Sequence, residues 1–170
     1  MSDGRGVELY LVTDTALCGG PDGVVETAEA AARGGVDMIQ IRDHDASTRE
    51  LCSLTTRVID AVATARRVRV VVDDRLDVAL AIGADGVHLG QSDLDPVVAR
   101  RLADRVVGEG FHLGWSVSNL EQVAAATRLR CVRLRRRHHG RGTGRRAGRR
   151  RRVGDLRAAR SARRDPGAAP

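Results

Sequence analysis

The stretch Arg69–Asp93, RVVVDDRLDVALAIGADGVHLGQSD, decides the fold. It opens on an aliphatic run at Arg69–Val72. A short helix pattern follows at Leu76–Ile82 and stops at Gly83, and a second aliphatic run fills Gly86–Leu89. Two strands that read as nearly continuous aliphatics, joined through a helix, form a parallel βαβ unit with both sheet faces covered. The polar residues come after each strand: Asp73 and Asp74 follow the first, Gln91 and Asp93 the second.

The same alternation extends in both directions. Upstream lie a strand at Glu8–Thr13, an Ala-rich helix at Gly23–Arg33 closed by Gly34-Gly35, and a strand at Met38–Arg42. A long helix then runs from a Ser47 cap to about Ala65, with Glu50 completing a capping box. Downstream, Asp95-Pro96 opens a helix with Asp as cap and Pro at its first position. A strand at His112–Ser116 and a helix at Asn119–Thr127, capped by Asn119, complete five βα units. Repeated βα units give a parallel sheet, open or closed into a barrel, and periodicity does not choose between them. Leu129–Leu134 begins like a sixth strand and then meets Arg135-Arg136-Arg137.

Polar side chains gather at the strand ends: Gln40 and Arg42, Asp73 and Asp74, Gln91 and Asp93, and Ser116. In parallel α/β folds those ends share one rim, where binding and catalysis are built. Asp74 and Asp93, on neighbouring strands, suit Mg²⁺, which keeps water and takes phosphate oxygens. Arg42 suits a phosphate gripped bidentately, and Gln40 suits a neutral heterocycle. The plainer alternatives are a solvated turn at Asp73-Asp74 and a surface ion pair at Arg42-Asp43.

Four segments carry a resemblance. LYLVTD (Leu9–Asp14), GGVDMIQIRD (Gly34–Asp43), DDRLDVALAIGADGVHLGQSD (Asp73–Asp93) and LGWSVSN (Leu113–Asn119) closely resemble the bacterial thiamine phosphate synthase family, over about Val7 to Thr127. The resemblance implies part of a (β/α)₈ TIM barrel. It implies an enzyme that joins hydroxymethylpyrimidine diphosphate to thiazole phosphate, releasing pyrophosphate. It also implies Mg²⁺ as cofactor on Asp74 and Asp93, and substrate contacts from Gln40, Arg42, His44, Asp73 and Ser116, with Ser116 nearest the reacting centre. A homo-oligomer is a further implication. Two positions depart from the family pattern: His44 stands where Lys is usual, and Asp73 where Asn is usual. The first weakens a phosphate contact at neutral pH; the second adds a carboxylate where an amide held substrate. The related thiazole tautomerase shares the barrel but does not bind a diphosphate through Mg²⁺, so the Asp74, Asp93, Gln40 and Arg42 set favours the synthase.

Charge divides the chain at the same place. Residues 1–127 hold 12 Arg against 20 acidic residues, whereas 128–170 hold 17 Arg against Asp155 and Asp165 alone, and there is no Lys. Residues 1–127 are therefore expected to form the barrel part, and 128–170 a disordered Arg-, Gly- and Ala-rich tail. Out-of-frame translation of a GC-rich gene produces such a composition. Arg133–Arg137 can be encoded so that a one-base shift reads Asp-Tyr-Val-Gly, similar to the family's sixth strand. The rival readings are an arginine-rich arm that binds nucleic acid non-specifically and, least well supported, a tail that folds as further strands. A barrel without its closing strands leaves unpaired edges, so this polypeptide is expected to be poorly soluble and to lack turnover. Cys18, Cys52 and Cys131 match neither a disulfide framework nor a zinc pattern. No run is long enough to span a membrane. The expected setting is the cytoplasm.

Overall fold

The computed structural model describes residues 9–64, 68–129 and 131–135. Strands and helices alternate throughout: β1 (Tyr10–Val12), α1 (Pro21–Arg33), β2 (Met38–Ile41), α2 (Thr48–Val62), β3 (Arg69–Asp73), α3 (Leu76–Ala81), β4 (Gly86–Leu89), α4 (Pro96–Val106), β5 (His112–Val117), α5 (Leu120–Arg128) and β6 (Val132–Arg135). All neighbours pair in parallel, in the order β1-β2-β3-β4-β5-β6. This is part of a (β/α)₈ barrel: each strand lies beside the one before it, as right-handed crossovers require.

The helix starts follow local chemistry. The Ser47 hydroxyl accepts from the Glu50 N–H at 3.3 Å, and Glu50 accepts from the Ser47 N–H at 2.8 Å. Asp95 caps α4 through the Val97 and Val98 N–H groups, and Asn119 caps α5 through the Gln122 N–H. Such caps each stabilise a helix by about 1 kcal/mol.

The two faces of the sheet differ in kind. Ile39, Ile41, Val70, Val72, Val87, Leu89, Leu113 and Val117 pack with the helices into one apolar core. Alternation sends the intervening residues to the other face. There the register aligns Gln40 with Val71, Asp73 with His88, and His88 with Gly114. Gln40 and His88 are buried polar groups on that inner face. Gly114 is needed because a Cβ there would lie 2.4 Å from His88 Nδ1.

The fold continues past the boundary expected at Thr127. Helix α5 ends at Arg128, and β6 pairs with β5 from Gly114↔Val132 to Val117↔Arg135. The apolar–Arg alternation of Val132–Arg135 is a strand pattern of period two, which the charge argument undervalued. Strand β5 is therefore interior rather than an edge, and β1 and β6 end the described sheet. Residues 136–170, with their expected disorder and nucleic-acid contacts, lie outside the described residues.

Candidate active site

The β1–β3 half of the rim is one connected polar network. Tyr10 donates from its hydroxyl to Gln40 Oε1 at 2.7 Å, and Gln40 Nε2 donates to Asp73. Burial, and then the Asp73 charge, raise the Tyr10 pKa, so the phenol stays a donor. The Thr13 hydroxyl donates to the Gln40 carbonyl at 3.1 Å and accepts from the Arg42 N–H at 3.2 Å. The Arg42 guanidinium lies between two carboxylates, 3.2 Å from Asp14 and 3.6 Å from Asp73. His44 faces the same Asp73 oxygen and one from Asp74, with Nε2 4.0 Å from Asp73 and Nδ1 3.7 Å from Asp74.

Asp74 sits where the chain turns out of β3, at φ 60, a left-handed conformation that Asp tolerates better than most residues. Its N–H donates to the His88 carbonyl at 2.7 Å, which ties this turn to β4. Its carboxyl lies near that of Asp93, close enough for Asp93 to raise its pKa. Asp93 is itself fixed by the Gly90 N–H at 2.5 Å. Burial and the neighbouring Asp93 and Asp73 carboxylates push the Asp74 pKa up to about 7. Burial also raises Asp73, against the lowering effect of His44 and Arg42.

The Ser116 side of the rim, the neutral half, is built from amides and hydroxyls around His88, whereas Asp93 from the loop after β4 belongs to the charged cluster. His88 Nε2 lies 2.9 Å from the Ser116 hydroxyl. Gln91 donates to the Ser116 carbonyl and accepts from Gln122 Nε2 at 2.6 Å. Gln122 in turn accepts from the Ser118 N–H at 2.7 Å.

Six of the seven expected site residues, Gln40, Arg42, His44, Asp73, Asp74 and Asp93, therefore meet in one cluster. Ser116 sits apart in the neutral half, and the two halves join through Asp74 and His88. Gln40 has both ends of its amide engaged by Tyr10 and Asp73, so it positions neighbours as well as offering a contact. Sequence reading missed Tyr10, Thr13, Asp14, His88 and Gln122. Tyr10, Thr13 and Asp14 lay within or beside the first strand pattern, so strand-end polarity was the available signal for Asp14. A cavity of about 790 Å³ opens beside Arg42 and His44, lined also by Asp14, Gly19, Gly20 and Glu50.

The family model described as thiamine monophosphate synthase matches residues 9–132. The chain belongs to this family. It is 41% identical over 120 residues to the thiamine-phosphate synthase of Azorhizobium caulinodans, covering 71% of this chain and 54% of that one. It is 46% identical over 120 residues to the thiamine-phosphate synthase of Methanoregula boonei, covering 71% and 53%. Among solved structures, the thiamine phosphate pyrophosphorylase of Pyrococcus furiosus aligns with TM-score 0.63 at 34% identity, over 74% of this chain and 57% of the other. The chain thus spans about half the length of the curated synthases it matches. Among the described residues no helix is long and apolar enough to cross a membrane.

Proposed function

We propose that the described rim is the pyrimidine-diphosphate half of a thiamine-phosphate synthase site. It would serve an alkyl transfer in which hydroxymethylpyrimidine diphosphate loses pyrophosphate and a thiazole phosphate nitrogen takes the carbon. The observation that carries this reading is Arg42, which lines an open cavity and pairs with Asp73 beside Asp74, whose pKa the Asp93 carboxylate raises, in a chain of this family.

The Asp74–Asp93 pair fits Mg²⁺: two neighbouring carboxyl groups from adjacent strand ends supply the oxygen donors that this ion prefers. Asp74 and Asp93 would hold the ion, and when bound it would neutralise charge on the departing pyrophosphate. The chain's own residues do the rest. Arg42 exchanges one of its two carboxylate partners for a phosphate oxygen. The buried Tyr10–Gln40–Asp73 chain fixes the floor against which a heterocycle lies. Ser116, held by His88, offers a hydroxyl from the neutral side, where no strong charge competes with a cationic pyrimidine intermediate. The lack of a paired covalent nucleophile in this scheme agrees with a reaction driven by positioning and charge stabilisation.

The test is calorimetric titration of the pyrimidine diphosphate with and without Mg²⁺. Mg²⁺-dependent binding supports the synthase reading; Mg²⁺-independent binding favours the tautomerase. Turnover with both substrates is expected to be absent in the 170-residue polypeptide, because residues 128–170 carry an Arg-, Gly- and Ala-rich composition in place of closing barrel strands.

A further inference from the structure

His44, Asp73 and Asp74 present one imidazole nitrogen and two carboxylate oxygens that all lie within 4.8 Å of one another. Around an ion with bonds near 2.1 Å, such donors stand roughly 3 to 3.5 Å apart. Closing the set therefore takes about 1 to 2 Å of side-chain movement. His44 can supply it: the residue lies in the loop between β2 and α2, and its side chain is 52% exposed. The cluster opens beside the cavity that His44 itself lines, so an ion has an entry path and room for water. The local charge also calls for a dication. Asp14, Asp73, Asp74 and Asp93 surround this region, with Arg42 as the guanidinium placed among them.

We propose that His44, Asp73 and Asp74 form a transition-metal site that takes Mn²⁺, Co²⁺ or Zn²⁺ through one imidazole nitrogen and one oxygen from each carboxylate. Imidazole is the deciding donor. Mg²⁺ prefers oxygen and keeps its water, whereas first-row transition ions gain from nitrogen in the order Mn²⁺ below Co²⁺, with Zn²⁺ also well suited. The usual family residues, Lys and Asn at these two positions, would supply no such donors. Asp74 is common to this set and to the Asp74–Asp93 pair, so the transition ion and Mg²⁺ compete. The site stands on its donors alone and survives failure of the synthase reading, because ion binding is measured without substrate.

The probe is Co²⁺ alone, titrated into the full chain at pH 8 by visible absorption and calorimetry. The background variant H138A/H139A removes two other histidines that could take the ion. One Co²⁺ is expected per chain, with d–d bands, no thiolate charge-transfer bands, and affinity about 100-fold above that for Mg²⁺. His44→Ala and His44→Asn should each lower Co²⁺ affinity at least about tenfold and change the bands, with the circular dichroism unchanged. Asp93→Asn should leave Co²⁺ binding in place while weakening Mg²⁺. Binding insensitive to His44, binding lost on removing His138 and His139, or equal loss in Asp93→Asn would overturn the proposal. A folded protein that binds no Co²⁺ would show the three side chains to be an ion pair only, and would overturn it as well.

Discussion

The two halves of the rim share a sheet but solve different electrostatic problems. On β1–β3, side chains from three strand ends form a charged cluster in which carboxylates outnumber cations. Around Ser116, His88, Gln91 and Gln122 join through hydrogen bonds rather than ion pairs. The contrast teaches a division of labour. In the charged half, burial and the neighbouring Asp93 and Asp73 carboxylates push the Asp74 pKa up to about 7. The half around Ser116 is joined by hydrogen bonds and holds no ion pair among the described residues. A substrate with a diphosphate at one end and a flat heterocycle near the other suits both halves together.

Breaking the charged half should give the largest effect. Arg42→Ala is expected to weaken Mg²⁺-dependent binding of the pyrimidine diphosphate by about 100-fold, since a charge-assisted contact is worth roughly 1.5–3 kcal/mol. The arginines of 128–170 remain in that variant, so calorimetry separates specific binding from attraction to the tail.

Next comes the competition between proton and metal. Asp74 must lose its proton to bind an ion, so Mg²⁺ affinity should fall about tenfold per pH unit below 7 and level off above it. Asp93→Asn should move that slope to lower pH by removing one carboxylate of the pair, while burial and the Asp73 charge still raise Asp74. A Mg²⁺ affinity flat from pH 5 to 8 would contradict the pairing.

The neutral half can be broken sterically. Gly114→Ala drives a methyl against the His88 ring, 2.4 Å from Nδ1, and should cost about 1–3 kcal/mol of stability in urea denaturation. Gly86→Ala should be at least as severe, because its Cβ would meet the His112 carbonyl oxygen at 2.1 Å, and backbone does not yield readily.

The smallest effect is also the subtlest. His112 is partly buried, with its Nε2 enclosed; burial, and then the charges of Arg69 and His88, hold its pKa down at about 4. A depressed histidine gives stability that is present above pH 6.5 and lost as pH falls toward 4. Asp74 works in the opposite sense: its raised pKa gives stability that is present below about pH 4 and lost as pH rises through 7. In the metal-free protein the two trends offset each other between pH 4 and 6.5. Asp74→Asn should uncover stability that rises with pH, and His112→Leu stability that falls with pH, both read from urea midpoints in chelator.

Much of this was legible in the chain itself. Ser47 with Glu50, Asp95-Pro96 and Asn119 fixed three helix starts because capping chemistry is local. The strand-end rule found Gln40, Arg42, Asp73, Asp74, Asp93 and Ser116 because parallel strands place their ends on one rim. What escaped depends on register. Tyr10 meets Gln40 from 30 residues away, and His88 meets Ser116 from 28, and no short window holds either pair. His88 looked like an ordinary member of the GVHL strand, and only its place on the inner face makes it a partner for Ser116. Strand β6 was half-legible: Leu129–Leu134 began like a strand, but the arginines in and after it set the expected boundary at Thr127.

The central claim is that the charged half is a cation-dependent diphosphate site. The most direct measurement is calorimetric titration of hydroxymethylpyrimidine diphosphate into the full chain at pH 8, with Mg²⁺ and then with chelator, alongside Arg42→Ala. Binding that needs Mg²⁺ and fails in Arg42→Ala is the predicted result. Equal binding in all three conditions, or none in a protein whose circular dichroism shows it folded, would contradict it.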